Sequence, residues 1–290
     1  MSKLTAENIV KSYRNKEVLH SINLELESGK IYGLIGRNGA GKTTLLSILT
    51  AQNPATSGTV TFNGEPVWEN PDALSHLCFS RELNTMIGGT NNTIKVKEYF
   101  RMASIFFQNW DQNMADQLVK EFDLDVKKKI NKLSKGMLSM VSIITALASK
   151  AEFTFLDEPT AGLDVIAREK FYRILVDEFS ETGRTFVVST HIIEEAADIF
   201  EEVIIVDKGN ILLKEKTDEL LDRCVHISGH QDQVDQASKG LDIYHEEHLG
   251  RSKGITIMLK PGQTIPSQYD IDVQAMSLQK IFIALCGEEA

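Results

Sequence analysis

The sequence predicts an α/β fold with a mainly parallel core sheet, and three observations support that class. The short apolar run 31–35 ends in glycines, and helical spacing follows over 43–49, as a buried strand feeding a tight turn and a helix requires. Apolar strands recur at 153–156, 185–189 and 203–206, with helical stretches between the first two. Such alternation places helices on the faces of a parallel sheet. Residues 93–150 between these two regions read as mostly helical.

The elements follow in order. Leu4, Ile9, Val18, Ile22, Leu24 and Leu26 fall in short alternating runs broken at Ser28-Gly29, which suggests an antiparallel sheet ahead of the core. In the helical stretch, Val96, Tyr99, Phe100 and Ala103 recur at helical spacing, as do Leu118, Val119 and Phe122 after the candidate cap Asn113. Lys208-Gly209-Asn210 starts a hairpin-like end to the large unit. From Thr217 the pattern changes to a short helix at 218–223, strands around 225–227 and 255–259, and a last helix over 277–285. The expected organisation is a domain over 1–216, with an antiparallel β subdomain and a helical subdomain at about 93–150. A small α+β accessory domain over 217–290 completes it. There is no internal repeat and no low-complexity tract.

Composition narrows the function. The 290 residues, 42% of them hydrophobic, have room for one large packed domain and a small one. A net charge of −10 argues against a nucleic-acid partner held by bulk electrostatics. Cys78, Cys224 and Cys286 are odd in number and lack paired spacing, so buried thiols in a reduced compartment are expected. The opening MSKLTAENIV does not resemble a signal peptide. No segment reaches the roughly 18 apolar residues of a membrane span. The most apolar stretch, 137–148, carries Ser139, Ser142 and Thr145 and is expected as a buried helix. Any membrane part must then come from another chain.

The chemistry concentrates in two places. Gly36-Arg37-Asn38-Gly39-Ala40-Gly41-Lys42-Thr43, followed by Thr44, is a complete G-x-x-x-x-G-K-T between a strand and a helix. Its glycines let the backbone fold around phosphate, and amides at a helix N-terminus bind the negative charge. Lys42 is suited to reach the β- and γ-phosphates and the Thr43 hydroxyl to coordinate Mg²⁺. The loop alone implies ATP or GTP. The strand at 153–156 delivers Asp157 and Glu158 at its C-terminal end, where α/β folds place their sites. Asp157 is suited to hold Mg²⁺ through water, and Glu158 to polarise an attacking water.

Residues 156–164, Leu-Asp-Glu-Pro-Thr-Ala-Gly-Leu-Asp, resemble the joined Walker B and D-loop of ABC ATPases, and the resemblance runs from about residue 3 to residue 220. It implies an ATPase that binds Mg-ATP. Tyr13 would stack on adenine, favouring ATP, and His191, after Ser189-Thr190, would contact the γ-phosphate. Leu133-Ser134-Lys135-Gly136-Met137 stands against the family's usual LSGGQ. Through Ser134 and Gly136 it would cap ATP held by another copy, with Asp164 of the D-loop nearby. Ser134 suits a helix N-cap, which keeps the anion-binding geometry. Lys135 replaces a glycine, and Met137 removes an amide. The segment 77–82 resembles the Q-loop with Glu82 in place of glutamine, or Arg81 if the alignment slips by one. A carboxylate there still offers oxygen to Mg²⁺.

The resemblance further implies a head-to-tail dimer of ATPase subunits, identical or different, and a separate transmembrane permease. The chain would then be cytoplasmic, peripheral on the inner face of the cell membrane. The variant signature, acidic appendage and unusual Q-loop look like bacterial ATPases exporting antimicrobial or amphipathic peptides, the phenol-soluble-modulin exporters among them. The rival is an ABC protein acting on ribosomes or chromosomes, but such proteins resemble tandem ATPase pairs or carry long coiled coils. A GTPase or kinase would leave the signature, D-loop and histidine as coincidence. Cys224, His226, His230, His245 and His248 crowd the appendage, yet their spacing matches no zinc pattern and suits a polar surface.

Overall fold

In the computed structural model, which describes every residue except 15, 84, 88, 89, 261 and 288–290, the chain opens with two long antiparallel strands. These are β1 (Lys3–Tyr13) and β2 (Lys16–Glu27), and Leu4, Ile9, Leu19, Ile22 and Leu26 turn to the inside. β3 (Ile31–Ile35) then enters the core sheet and leads through the glycine-rich loop into α1 (Lys42–Leu49). β4 (Ser57–Phe62) and β5 (Glu65–Pro66) return to the first sheet, which runs β2-β1-β4-β5. The apolar pattern predicts the first pair. It misses β4 and β5, which bury only Phe62 fully.

α2 (Pro71–Ser75) precedes β6 (Leu77–Ser80), and β7 (Met86–Ile87) pairs with β8 (Thr90–Asn91). The helical region is α3 (Val96–Phe106), α4 (Gln112–Glu121) and α5 (Lys135–Ala148). One detail corrects the sequence expectation. Asp111, not Asn113, caps α4, accepting the Met114 N–H at 3.0 Å. The choice is made by tertiary contact, because the Asp111 N–H also donates to Ala148 O at 2.8 Å.

β9 (Phe153–Asp157), α6 (Val165–Thr182), β10 (Thr185–Thr190), β11 (Glu202–Asp207) and β12 (Asn210–Lys216) complete the core. The six strands run β12-β11-β3-β10-β9-β6, all parallel except the edge strand β12. Alternate residues of each strand serve opposite faces. Ile31, Ile35, Leu156, Phe186 and Val188 join the core under the helices, while Tyr32, Leu34, Phe155 and Val187 join that under the first sheet. Being covered on both sides, β3 and β10 read as unbroken apolar or small residues rather than alternating ones. The structural neighbours described below share this fold.

Beyond β12 the chain continues without a linker into α7 (Thr217–Arg223), β13 (Cys224–His230), α8 (Gln231–Ala237), β14 (Ile243–Leu249), β15 (Ser252–Met258), β16 (Ile271–Ala275) and α9 (Leu278–Cys286). The four strands form an antiparallel sheet in the order β14-β15-β13-β16. α8, β14 and β16 are additions to what the sequence suggested, since β14 is exposed along its whole length and shows no alternation. Ile227, Val234, Ile255 and Ile257 make a small local core, but Cys224, Met258, Met276, Leu278 and Ile281 join the large one. His226, His230 and His248 lie beside Glu247, Asp232 and Glu246. Among the described residues no group of His, Cys, Asp and Glu is arranged to hold a metal, and no helix is long and apolar enough to cross a membrane.

All three cysteines are free and buried. Burial pushes each thiol up to about 11, where it stays protonated and a poor nucleophile. Iodoacetamide at pH 8, followed by mass spectrometry, should label the folded chain at least about tenfold more slowly than the urea-unfolded chain. Equal rates in the two states would refute this burial.

Candidate active site

The phosphate loop is shaped by two constraints. Gly41 adopts φ 108°, and a Cβ there would stand 2.8 Å from Leu19 Cδ2, so only glycine fits without displacing β2. Gly209, in the turn between β11 and β12, donates to Ala40 O at 3.0 Å and holds the loop from the other side. Lys42 begins α1 and is nearly buried. Its ammonium donates to Gly36 O at 2.6 Å and Arg37 O at 3.3 Å, curling back over the loop that precedes it. α1 has neither a side-chain cap nor an acidic residue in its first turn. Its leading amides and the positive end of its dipole are therefore left for an anion.

The ends of β9 and β10 supply the rest. Their parallel register sets Asp157 opposite Ser189. Thr43 Oγ1 donates to Asp157 Oδ2 at 2.7 Å, and Ser189 Oγ donates to Asp157 Oδ1 at 2.6 Å. Ser189 Oγ also accepts the Glu158 N–H at 3.0 Å. Glu158 sits at φ 49°, a left-handed conformation costly for a residue with a side chain and commoner at functional sites. That twist turns its carboxylate toward Lys42 Nζ at 3.5 Å and lets it accept from His191 Nδ1 at 2.6 Å. Lys42, Thr43, Asp157, Glu158 and His191, each picked out in the sequence, thus meet in one connected group. Ser189 joins them unforeseen, because its role follows from strand register rather than from a motif.

Glu82 borders the same cavity as Thr43 and Asp157, a space of about 1050 Å³ that Arg81 also lines. Hydroxyl and carboxylate oxygens are the donor set a hard divalent cation prefers. Four other candidates stand apart from the phosphate loop. Ser134 caps α5 by accepting the Met137 N–H at 3.3 Å. Gly136 lies so close to the turn after β9 that a Cβ would come within 2.5 Å of Gly162 O. Asp164 caps α6 by accepting the Ala167 N–H at 2.8 Å. Tyr13 is half-exposed, with the Lys11 ammonium 4.9 Å from its ring centroid and its hydroxyl accepting from Asn53. Among the described residues, none of the four is hydrogen-bonded to the loop.

Residues 19–161 match the ABC transporter family model. The tungstate uptake system ATP-binding protein TupC of Peptoclostridium acidaminophilum is 31% identical, over 72% of this chain and 96% of its own length. The chain belongs to the ABC transporter ATP-binding proteins. Another relative, the lantibiotic transport ATP-binding protein SrtF of Streptococcus pyogenes, is 28% identical over 74% of this chain and 91% of its own. The fold of this ABC ATPase matches the dimeric, ADP- and Pi-bound ATP-binding cassette MJ0796 with a TM-score of 0.64, at 24% identity over 74% of this chain and 98% of that one. Membership makes the chain an ATPase and settles the nucleotide left open by the loop alone as ATP.

Replacing Ser189 by alanine removes a donor to Asp157 and the side-chain acceptor of the Glu158 amide, which keeps its bond to Ser189 O at 3.2 Å. Chemical denaturation of Ser189→Ala should show a loss of about 1–3 kcal/mol, and ATP turnover should fall with it. Unchanged stability and turnover together would mean that Ser189 does not organise these acids.

Proposed function

We propose that this ABC ATPase drives a transporter whose permease is a separate membrane chain, working peripherally on the cytoplasmic, inner face of the cell membrane. The observation that carries this is the connected group of Lys42, Thr43, Asp157, Glu158, Ser189 and His191. In this scheme the amides of the loop Gly36-Arg37-Asn38-Gly39-Ala40-Gly41 and of Lys42, Thr43 and Thr44 cradle the phosphates. The ammonium of Lys42 exchanges its carbonyl partners for phosphate oxygens, and Tyr13 stacks on adenine. Thr43, Asp157 and Glu82 would hold Mg²⁺, whose charge, when bound, offsets that of the phosphates. Glu158 accepts a proton from the attacking water, while His191 orients the Glu158 carboxylate through Nδ1 and turns its other nitrogen to the γ-phosphate.

Among the described residues, Ser134, Gly136 and Asp164 make no hydrogen bond to the phosphate loop of their own chain. They act on ATP held by a second ATPase subunit, so two nucleotides become part of a head-to-tail interface. Loss of the γ-phosphate removes contacts from both sides, and the halves part.

The permease reading draws on a second observation. Met102 and Phe106 line the cavity that also touches Thr43 and Asp157, and with Ile105 they are exposed apolar side chains on one end of α3. A helix of a membrane chain seated there would feel the nucleotide through a shared wall. Export of peptides or antimicrobial compounds is the cargo class we favour, on the likeness to SrtF and on the variant Leu133–Met137 segment. TupC, an uptake protein by name, is equally similar, so cargo must be tested directly.

Lys42→Ala should lower ATP turnover by at least about a hundredfold, and near-normal turnover would remove the loop from the mechanism. Glu158→Gln should cost about 10²- to 10⁴-fold in rate and trap an ATP-bound dimer visible by light scattering. A variant that stays monomeric with Mg-ATP contradicts the sandwich. A tagged chain recovered from mildly solubilised membranes should bring a stoichiometric polytopic partner. Recovery with ribosomes or DNA instead would replace the transport reading by the rival one.

A further inference from the structure

Two of the positions at which this chain departs from the usual ABC pattern face each other. Lys135, which the resemblance sets in place of a glycine, brings its Nζ to 3.9 Å from Oε2 of Glu82, which the resemblance sets in place of a glutamine when Arg81 is not aligned there instead. The backbones on either side are pinned. Ser80 Oγ donates to Ser142 O and Ser142 Oγ donates to Arg81 O, both at 3.0 Å, tying the segment before Glu82 to the helix that Lys135 begins. The stem of Lys135 lies over Gly162, where a Cβ would come within 2.8 Å of Lys135 Cγ. The side chain, 57% exposed, extends its ammonium from there into solvent, with Glu82 as its acidic neighbour.

We propose that Glu82 and Lys135 form a charge latch that keeps the Lys135 ammonium within its own subunit until the facing subunit presents ATP. The inference rests on the sandwich arrangement of the preceding subsection. Both side chains are 57% exposed, so their attraction has the strength of a surface pair and yields readily to a stronger anion. The γ-phosphate is such an anion, and the N-terminus of α5 adds its own positive end to the ammonium. Transfer of Lys135 to the facing nucleotide leaves the Glu82 carboxylate free in the cavity it shares with Thr43 and Asp157. One movement thereby links the ATP seen across the interface to the oxygen ligands around the subunit's own ATP. The coupling is reciprocal, as any linkage between two binding events must be.

The test is a double-mutant cycle in the full chain carrying Glu158→Gln, reading the Mg-ATP concentration that gives half-maximal dimer by light scattering. Glu82→Gln, Lys135→Gly and the two together complete the cycle. Lys135→Gly should raise the required ATP about two- to fivefold. The effect of Glu82→Gln should differ by at least about twofold between chains with and without Lys135→Gly, in the direction of easier dimerisation when Lys135 is present. Any contribution of Glu82 that does not depend on Lys135 occurs in both backgrounds and cancels. Half-molar salt should shrink the difference. Additive effects in a chain that does dimerise with ATP overturn the latch alone. A chain that never dimerises with ATP removes the sandwich, and the latch with it.

Discussion

Both carboxylate oxygens of Asp157 are claimed by hydroxyls, Thr43 on the helix after β3 and Ser189 on β10. That pair of bonds exists only if three neighbouring parallel strands end level with one another, and the rest of the site is hung from it. The amide of Glu158 is fixed by the same Ser189 oxygen, so the second acid is aimed by the partner of the first. Lys42 is positioned by the loop that Thr43 terminates. A slip of one residue between β9 and β10 would turn Asp157 to the opposite face of the sheet, away from Thr43 and Ser189.

Much of this was legible in the sequence, for identifiable reasons. β3, β9, β10 and β11 are covered on both faces, so their apolar runs are continuous and stand out. The phosphate loop is legible because its backbone shape demands glycines at fixed offsets, Gly41 above all. What stayed hidden depends on neighbours distant in the chain. β14 is exposed throughout and carries no periodic signal. Asn113 and Asp111 are equally good cap types, and only the Ala148 carbonyl decides between them. Ser189 reads as an ordinary strand residue until the register is known. Glu82 and Lys135 were each visible as departures from a pattern, but their proximity was not.

The turn after β9 serves three partners. It carries Glu158 to Lys42 and His191 at one end and Asp164 to the head of α6 at the other. In between, Ala161 O accepts from Ser139 and Gly162 O lies against Gly136, so the turn is packed on the start of α5. Two turns further along, at Ser142, α5 is tied in turn to the segment before Glu82. Groups that the proposed sandwich would set on two different nucleotides are therefore joined by short covalent and hydrogen-bonded paths within one subunit, which is the material a two-state coupling needs.

The appendage has the outline of a separate module, yet its inner side is stitched into the ATPase. Cys224, Met258, Met276, Leu278 and Ile281 share a core with Val203 and Ile205 of the main sheet. A chain ended at Lys216 would lay that flank open to water as a contiguous oily patch of the kind that drives self-association. Whatever else the last seventy or so residues do, they act as a lid on the ATPase's own interior, and a gene rearrangement could discard them only by repainting the surface beneath.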